Sequence, residues 1–481
     1  MTSVPVARHR TAIRRSEMSR PIRLAINDGL IKQDTLVFDY GCGHGGDVRN
    51  LNNLGILCIG WDPVYQPDVE HSAADVVNLG YVVNVIENPA ERVSTLRKAW
   101  ALTRRLLIVS ARLTVDLKED SQTPYGDGWI TRSGTFQKFY EQYELRDWID
   151  EVLSVSSVAA GPGVFYIFRD TELAQSFIAS RFRRKAATPR QRYSNHIFEQ
   201  YKMLLEPSIE FIALRGRLPD DSELDQAQLI RNEFGTLRHA FGVIQKVIGV
   251  DHLNQIREDR SQDILIYLAL ARFGDRPRFS QLSYDLQLDI RAFFVTYTRA
   301  CSLADNLLFS VGNRKLIDEH CRRSCVGKLT PEALYVHVSA LQCLSPILRV
   351  YEGCARALIG AVEGANILKL YRDKPQISYL SYPDFERNPH PALAASLTVN
   401  LQTFKLKYQE YINSENPPII HRKETFLAPD HPLRPKFTRL TNQEEKKGLY
   451  ENPSLIGTKR GWEQVIKERE LRFVGHRLVR L

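Results

Sequence analysis

The segment TLVFDY (35–40) is apolar, β-branched and aromatic around a single charge, the pattern of a strand buried on both faces. Beyond it the period changes. Val48, Leu51 and Leu54 stand at helical intervals, and Gly55 supplies a stop. GILCIGWD (55–62) reads as the next strand, ADVVNLGYVVNVI (74–86) as a fourth strand with its turn, and LLIVSA (106–111) as a continuous apolar strand. Asn88-Pro89 suits an N-cap and first helical residue, and Val93, Leu96, Ala99 and Trp100 then share one helix face. ELRDWIDEVLSV (144–155) and VFYIFR (164–169), with Gly161-Pro162-Gly163 as the turn between the last two strands, bring the expected sheet to seven strands. Residues 25–172 therefore predict an α/β unit, a Rossmann-like doubly wound sheet.

The remainder reads differently. Residues 173–192 run from apolar pattern into RFRRKAATPRQR (181–192), a basic linker. From 193 to 366 the pattern is mostly helical, as in IFEQYKMLLEPSIEFIALRG and LDQAQLIRNEFGTLRHAFGVIQKVIG, and no fixed-period repeat occurs. Residues 367–481 mix a strand, QISYLSY, with Pro-rich loops and short helices such as TNQEEKKGLY, in no recognised fold.

Between the first strand and the first helix lies GCGHGG (41–46). Gly41, Gly43 and Gly46 satisfy the dinucleotide pattern GxGxxG, while Gly41, Gly43 and Gly45 satisfy the GxGxG of a methyltransferase, so spacing alone does not choose. Asp39 does, because it sits at the mouth of the strand two residues before the first glycine. A carboxylate there repels a pyrophosphate and attracts the ammonium and sulfonium of S-adenosylmethionine. Asp62 ends the next strand about 20 residues beyond the turn, where a carboxylate takes the ribose hydroxyls of a nucleotide.

Composition narrows the setting. At 481 residues the chain exceeds one hydrophobic core, and 43% hydrophobic with 25% charged residues is a folding composition. No apolar run approaches the roughly 20 residues of a membrane span, and the N-terminus lacks the apolar core of a signal peptide, so a cytoplasmic protein is expected. Seven scattered cysteines point to reduced thiols. The net charge of +9 suggests a polyanionic partner. Arg8, Arg10, Arg14, Arg15, Arg20 and Arg23 crowd an N-terminal arm (1–24), and Arg183 and Arg184 open the second basic run. Both runs suit either solvated segments or phosphate binding.

FDYGCGHGGDVRNL, GWDPVY, NLGYVVNVIENPAER, GTFQKFYEQYEL and the distant SYLSYPDFERNPHPAL, NPPIIHRKETF and IGTKRGW together resemble the methyltransferases associated with DNA phosphorothioation systems. The first third is also similar to class I methyltransferases at large. The resemblance implies a bacterial setting near DNA modification and defence. It implies S-adenosylmethionine as cofactor, with Asp39, Gly41, Gly43 and Gly45 on its methionine part, Asp62 on the ribose and Asp75 near the adenine.

Amino methyltransferases acting on bases place Asn or Asp, two prolines and an aromatic at the end of the fourth strand. Asn78-Leu79-Gly80-Tyr81 stands there with both prolines missing. Asn78 and Tyr81 are thus the catalytic candidates, or else Asn78 caps the turn and Tyr81 packs beneath the adenine. Trp129, Phe136 and Tyr140, interleaved with Arg132 and Lys138 in the loop 124–140, suit a flipped base and its phosphate, or plain packing over the sheet edge. Asn416-Pro417-Pro418 reads as a loop. His320, Cys321, Cys325, His337 and Cys343 match no common zinc spacing. The expected acceptor is nucleic acid, DNA before RNA or a small molecule, with residues 193–481 recognising the target. A donor- or DNA-binding subunit without catalysis is the alternative.

Overall fold

The computed structural model describes residues 6–15, 17–117, 122–184 and 196–480. They pack as two compact units. The first holds the described residues up to Asp170 with Arg314–Ser345 and Tyr351 onwards; the second holds Thr171–Asn313 with Pro346–Val350.

The first unit opens with α1 (Arg20–Asn27), β1 (Val37–Tyr40), α2 (Gly46–Asn53), β2 (Cys58–Trp61), β3 (Ala74–Gly80), α3 (Pro89–Leu102) and β4 (Thr103–Ser110). A three-stranded antiparallel sheet follows, β5 (Gln122–Tyr125), β6 (Gly128–Thr131) and β7 (Phe136–Gln137), then α4 (Gln142–Leu153), β8 (Val158–Gly161) and β9 (Val164–Phe168). The main sheet has the order β2-β1-β3-β4-β9-β8. Its first four strands are parallel, and β9 runs antiparallel between β4 and β8. Successive residues of β1, β4 and β9 are buried on both faces, which is why these strands read as near-continuous apolar runs.

Two expectations are corrected here. The sheet has six strands, because the chain between Asp62 and Ala74 makes a turn closed by an Asp62–Gln66 bridge and forms no further strand, so the strand taken as fourth is the third along the chain. The stretch 124–140, read as a loop, is largely the small sheet β5–β7. The predicted turn 161–163 is present, and a Cβ on Gly163 (φ +70°) would lie 2.5 Å from the Ala111 carbonyl oxygen.

The second sheet of this unit is an antiparallel meander of β10 (Lys328–Leu329), β11 (Ala333–His337), β12 (Ile367–Tyr371), β13 (Gln376–Ser381), β14 (Ala395–Asn400) and β15 (Leu406–Glu410). Thus β13 matches the QISYLSY strand, while β10 and β11 interrupt the expected helical run to 366. Ala361 N donates to the Ala160 carbonyl at 2.9 Å, an approach that leaves no room for a Cβ on Gly360. No described helix is long and apolar enough to cross a membrane.

The second unit is helical: α5 (Thr171–Phe182), α6 (His196–Arg215), α7 (Ala227–Phe234), α8 (Leu237–Ile248), α9 (Val250–Leu270), α10 (Tyr284–Phe294) and α11 (Tyr297–Ser310). Asp263 of α9, 5% exposed, is its ionic hub. It accepts from Arg349 Nη1 at 2.7 Å, Arg260 Nη1 at 3.2 Å and the Arg184 backbone N–H at 2.9 Å. Removing one partner from such a group strands buried charge. Asp263→Ala is therefore expected to destabilise the protein by about 3–5 kcal/mol, measured as the shift in urea midpoint, whereas Asp259→Ala, at the half-exposed end of the same network, costs far less.

Candidate functional site

The chain leaves β1 at Tyr40 and turns at once across the carboxyl ends of the parallel strands. Gly41, Gly43 and Gly45 take φ of +85°, +52° and +70°, conformations that side chains rarely allow. A Cβ on Gly41 would lie 2.5 Å from Val82 Cγ2, and one on Gly43 3.0 Å from Ala12 Cβ. Gly45 rather than Gly46 takes the third left-handed position. Four of the turn's N–H groups are bonded: Gly41 and Cys42 donate to the Trp61 carbonyl, Gly43 to Asp62 Oδ2 at 3.0 Å and Gly45 to the Cys42 carbonyl. Donors so committed do not cradle a pyrophosphate.

Three carboxylates surround this turn. Asp39, 4% exposed, accepts from Asn78 Nδ2 at 2.8 Å across the β1–β3 register. Burial, then repulsion from Asp47, pushes its pKa up to about 7, against the opposing pull of the Asn78 bond and Arg15. Asp47, buried in the first turn of α2, accepts from Ser19 N at 2.6 Å. Asp62 Oδ1 accepts from Val64 N and Tyr65 N, which fixes the carboxylate and leaves Oδ2 capacity for a hydroxyl donor. None of the three has an ion-pair partner among the described residues. An acidic pocket whose carboxylates form no ion pair among the described residues suits a cationic ligand.

Asn78 is 1% exposed and turned to Asp39, which makes it a positioning residue beneath the turn. Tyr81 sits at the end of β3 with φ +59°, strained for an aromatic residue, its N–H held by Ser110 O at 3.0 Å and Ser110 Oγ at 3.1 Å. Its ring faces the Arg15 guanidinium at 5.6 Å and lines a cavity of about 560 Å³. Burial raises the pKa of its hydroxyl.

Other candidates fall elsewhere. Asp75 stands at the amino end of β3, accepting from Leu36 N at 3.0 Å. Five strand residues, about 16 Å, separate it from the site, so it leaves the adenine set. Lys138 is tied to Glu144 at 2.9 Å and Asp127 at 3.1 Å, Trp129 lies on the β5–β7 ladder, and Arg132 is exposed in its turn; none lines the cavity. Arg183 and Arg184 belong to the second unit. Arg184 pairs with Asp259 and Asp263, and burial lowers the pKa of Arg183, so neither is a solvated phosphate-gripping arm. Residues 185–192 of that basic run lie outside the described residues.

The N-terminal arm, by contrast, is part of the site. Arg8 pairs with Glu87 at 2.8 Å and Glu91 at 2.7 Å, and Ala12 and the Arg15 carbonyl rest on Gly43 and Gly46. Thr11, Ile13, Arg14, Arg15, Arg20 and Arg23 then help to wall the cavity with Asn84, Arg112 and Gln137. Asn84 and Arg112 were not singled out from the sequence. The available signal was position, since each follows the carboxyl end of a central strand.

No family model matches the chain, and no curated protein sequence does. Among solved structures it is similar to the sugar N-methyltransferase KedS8 from Streptoalloteichus sp ATCC 53650, at 10% identity over 31% of this chain and 84% of that one, TM-score 0.25. It is similar to SAM-bound CalS10, an amino pentose methyltransferase from Micromonospora echinaspora, at 14% identity over 31% and 89%, TM-score 0.25. It is also similar to the magnesium protoporphyrin IX methyltransferase ChlM from Synechocystis PCC 6803, at 16% identity over 34% and 93%, TM-score 0.24. At these values the functional reading rests on the geometry of this chain.

Asp39 carries a stability consequence. Its folded pKa lies above the unfolded value of 3.8, so the native state pays to ionise it as pH rises from about 4 to 7, and the penalty is constant above. Asp39→Asn is expected to raise stability more at pH 8 than at pH 5, by at most about 3 kcal/mol. Urea midpoints at the two pH values measure the difference.

Proposed function

We propose that the first unit is an S-adenosylmethionine-dependent methyltransferase domain, its acceptor held in the cavity beside Tyr81. The observation that carries this is the set of three carboxylates without ion-pair partners among the described residues, Asp39, Asp47 and Asp62, around a left-handed glycine turn whose three glycine amides are already bonded. Asp39 and the turn would hold the methionine part, and Asp62 the ribose. Bound there, the cofactor supplies an electrophilic methyl group on a sulfonium sulfur. Transfer is an in-line displacement, so the chain's task is alignment and exclusion of water. Tyr81, fixed by its strained backbone, and Asn84 orient the acceptor, while residues 11–15 cover the turn.

The narrower reading is transfer to nucleic acid, DNA before RNA, in a bacterial modification or defence setting. It is supported by the resemblance of the chain's motifs to those of the phosphorothioation-associated methyltransferases and by the arginines of the cavity. Small-molecule transfer is the alternative. A donor-binding subunit without catalysis is favoured by one observation, the burial of Asn78 against Asp39 in place of an open catalytic amide.

Calorimetric titration of S-adenosylmethionine and of NAD separates these readings. The methyl donor alone is expected to bind, and Asp39→Asn to weaken it about 10- to 100-fold, the value of a charge lost at close range in a partly buried site. NAD binding, or donor binding indifferent to Asp39, would overturn the assignment. Tyr81→Ala is expected to spare donor binding while removing transfer of tritiated methyl to a mixed DNA and RNA acceptor pool. Retained transfer in that variant contradicts the role given to Tyr81.

A further inference from the structure

Resting on the methyltransferase reading, we propose that the cavity beside Tyr81 grips its acceptor by a phosphate group, clasped by Arg14, Arg15 and Arg112. Five arginines and two carboxylates, Glu17 and Asp116, line it. Two of the arginines are committed. Arg23 pairs with Glu363 at 3.1 Å and approaches Glu17 at 3.8 Å, and Arg20 donates to the Pro162 carbonyl at 2.8 Å beside Glu363. Asp116 accepts from Leu113 N at 3.0 Å. Arg14, Arg15 and Arg112 meet no carboxylate at ion-pair distance among the described residues. Three unneutralised guanidiniums in one cavity call for a ligand with two charges and several oxygens. A phosphate monoester supplies both; a carboxylate matches a single guanidinium fork.

The opposite wall asks for something else. Asn84 is 1% exposed, and its Nδ2 donates to Gln137 Oε1 at 2.9 Å. Its Oδ1 has no hydrogen-bond partner among the described residues, nor has Ser19 Oγ, 4% exposed on the same lining. A buried carbonyl left unpaired is costly, and a ligand N–H or O–H satisfies it. The cavity thus has a cationic end for phosphate and a donor-seeking end for an amine or hydroxyl. At about 560 Å³ it accommodates one nucleotide-sized molecule. A base-paired duplex does not fit.

The test is titration of the full chain with inorganic phosphate, deoxyadenosine monophosphate, a short single-stranded oligodeoxynucleotide and succinate, with S-adenosylmethionine titrated separately into each variant. Arg14→Ala and Arg112→Ala are each expected to weaken the phosphorylated ligands about tenfold, with partial recovery in Arg112→Lys. Both side chains are exposed and meet no carboxylate among the described residues, so thermal midpoints are expected to hold, and Arg112→Ala, outside the arm that covers the glycine turn, is expected to leave donor affinity unchanged. Binding of the mononucleotide alone identifies a free phosphate ester. Tighter binding of the oligonucleotide, with a salt slope reduced in the variants, identifies a nucleotide within a strand. Succinate binding as well as phosphate, or variants that bind the mononucleotide like the parent, overturns the proposal. Loss of the phosphate result with donor binding intact removes this site alone; phosphate binding with no donor binding removes the methyltransferase reading and leaves the anion site standing.

Discussion

A carboxylate set into the middle of a parallel sheet, with no ion-pair partner among the described residues, is the constraint from which the rest of the first unit follows. Asp39 lies between Phe38 and Tyr40 on a strand otherwise apolar on both faces, and among the described residues the Asn78 amide on β3 is the side chain that hydrogen-bonds it. That contact needs the tight strand end that Gly80 permits, because a Cβ there would lie 2.9 Å from Asn78 Nδ2. The turn above it folds back onto Trp61 and Asp62, and Asp47 then draws in Ser19 and with it the N-terminal arm. The arm in turn forms one wall of the cavity. Donor site and acceptor site are therefore two sides of one segment.

Two opposite electrostatic environments result within a short stretch of chain. On the glycine turn the uncompensated charges are carboxylates, and in the cavity they are guanidiniums. A cationic donor and an anionic acceptor are sorted by charge before any shape is read. The native state bears a cost for this arrangement, as functional sites commonly do, in an ionised Asp39 and a left-handed Tyr81.

The glycine turn, Asp39 and Asp62 were legible in the sequence because their geometry is local: a strand end, a left-handed turn and the next strand end lie within one βαβ unit. Asp75 was misplaced because an apolar run shows that a strand exists without showing which end faces the site. The expected count of seven strands came from reading ADVVNLGYVVNVI as a fourth strand, where the chain from Asp62 to Ala74 makes only a turn. Arg183 and Arg184 looked like a solvated run, yet Asp259 and Asp263, brought close only by the fold of the helical unit, consume Arg184. Arg14 and Arg15 were visible as charge but not as a wall, and Arg112 and Asn84 join them from two other loops. Long-range convergence of that kind leaves no periodic trace in a sequence.

The central claim is that a buried carboxylate with no ion-pair partner among the described residues selects a cationic ligand, and proton release reports it most directly. Donor binding is to be followed calorimetrically in buffers of different ionisation enthalpy across the range in which Asp39 titrates, near pH 7. A cation bound beside Asp39 lowers its pKa, so binding should release close to one proton on the acid side of pH 7, release none at higher pH, and tighten as pH rises. Release should vanish in Asp39→Asn. Donor binding with no proton released at any pH, or with release unchanged in Asp39→Asn, would contradict the account.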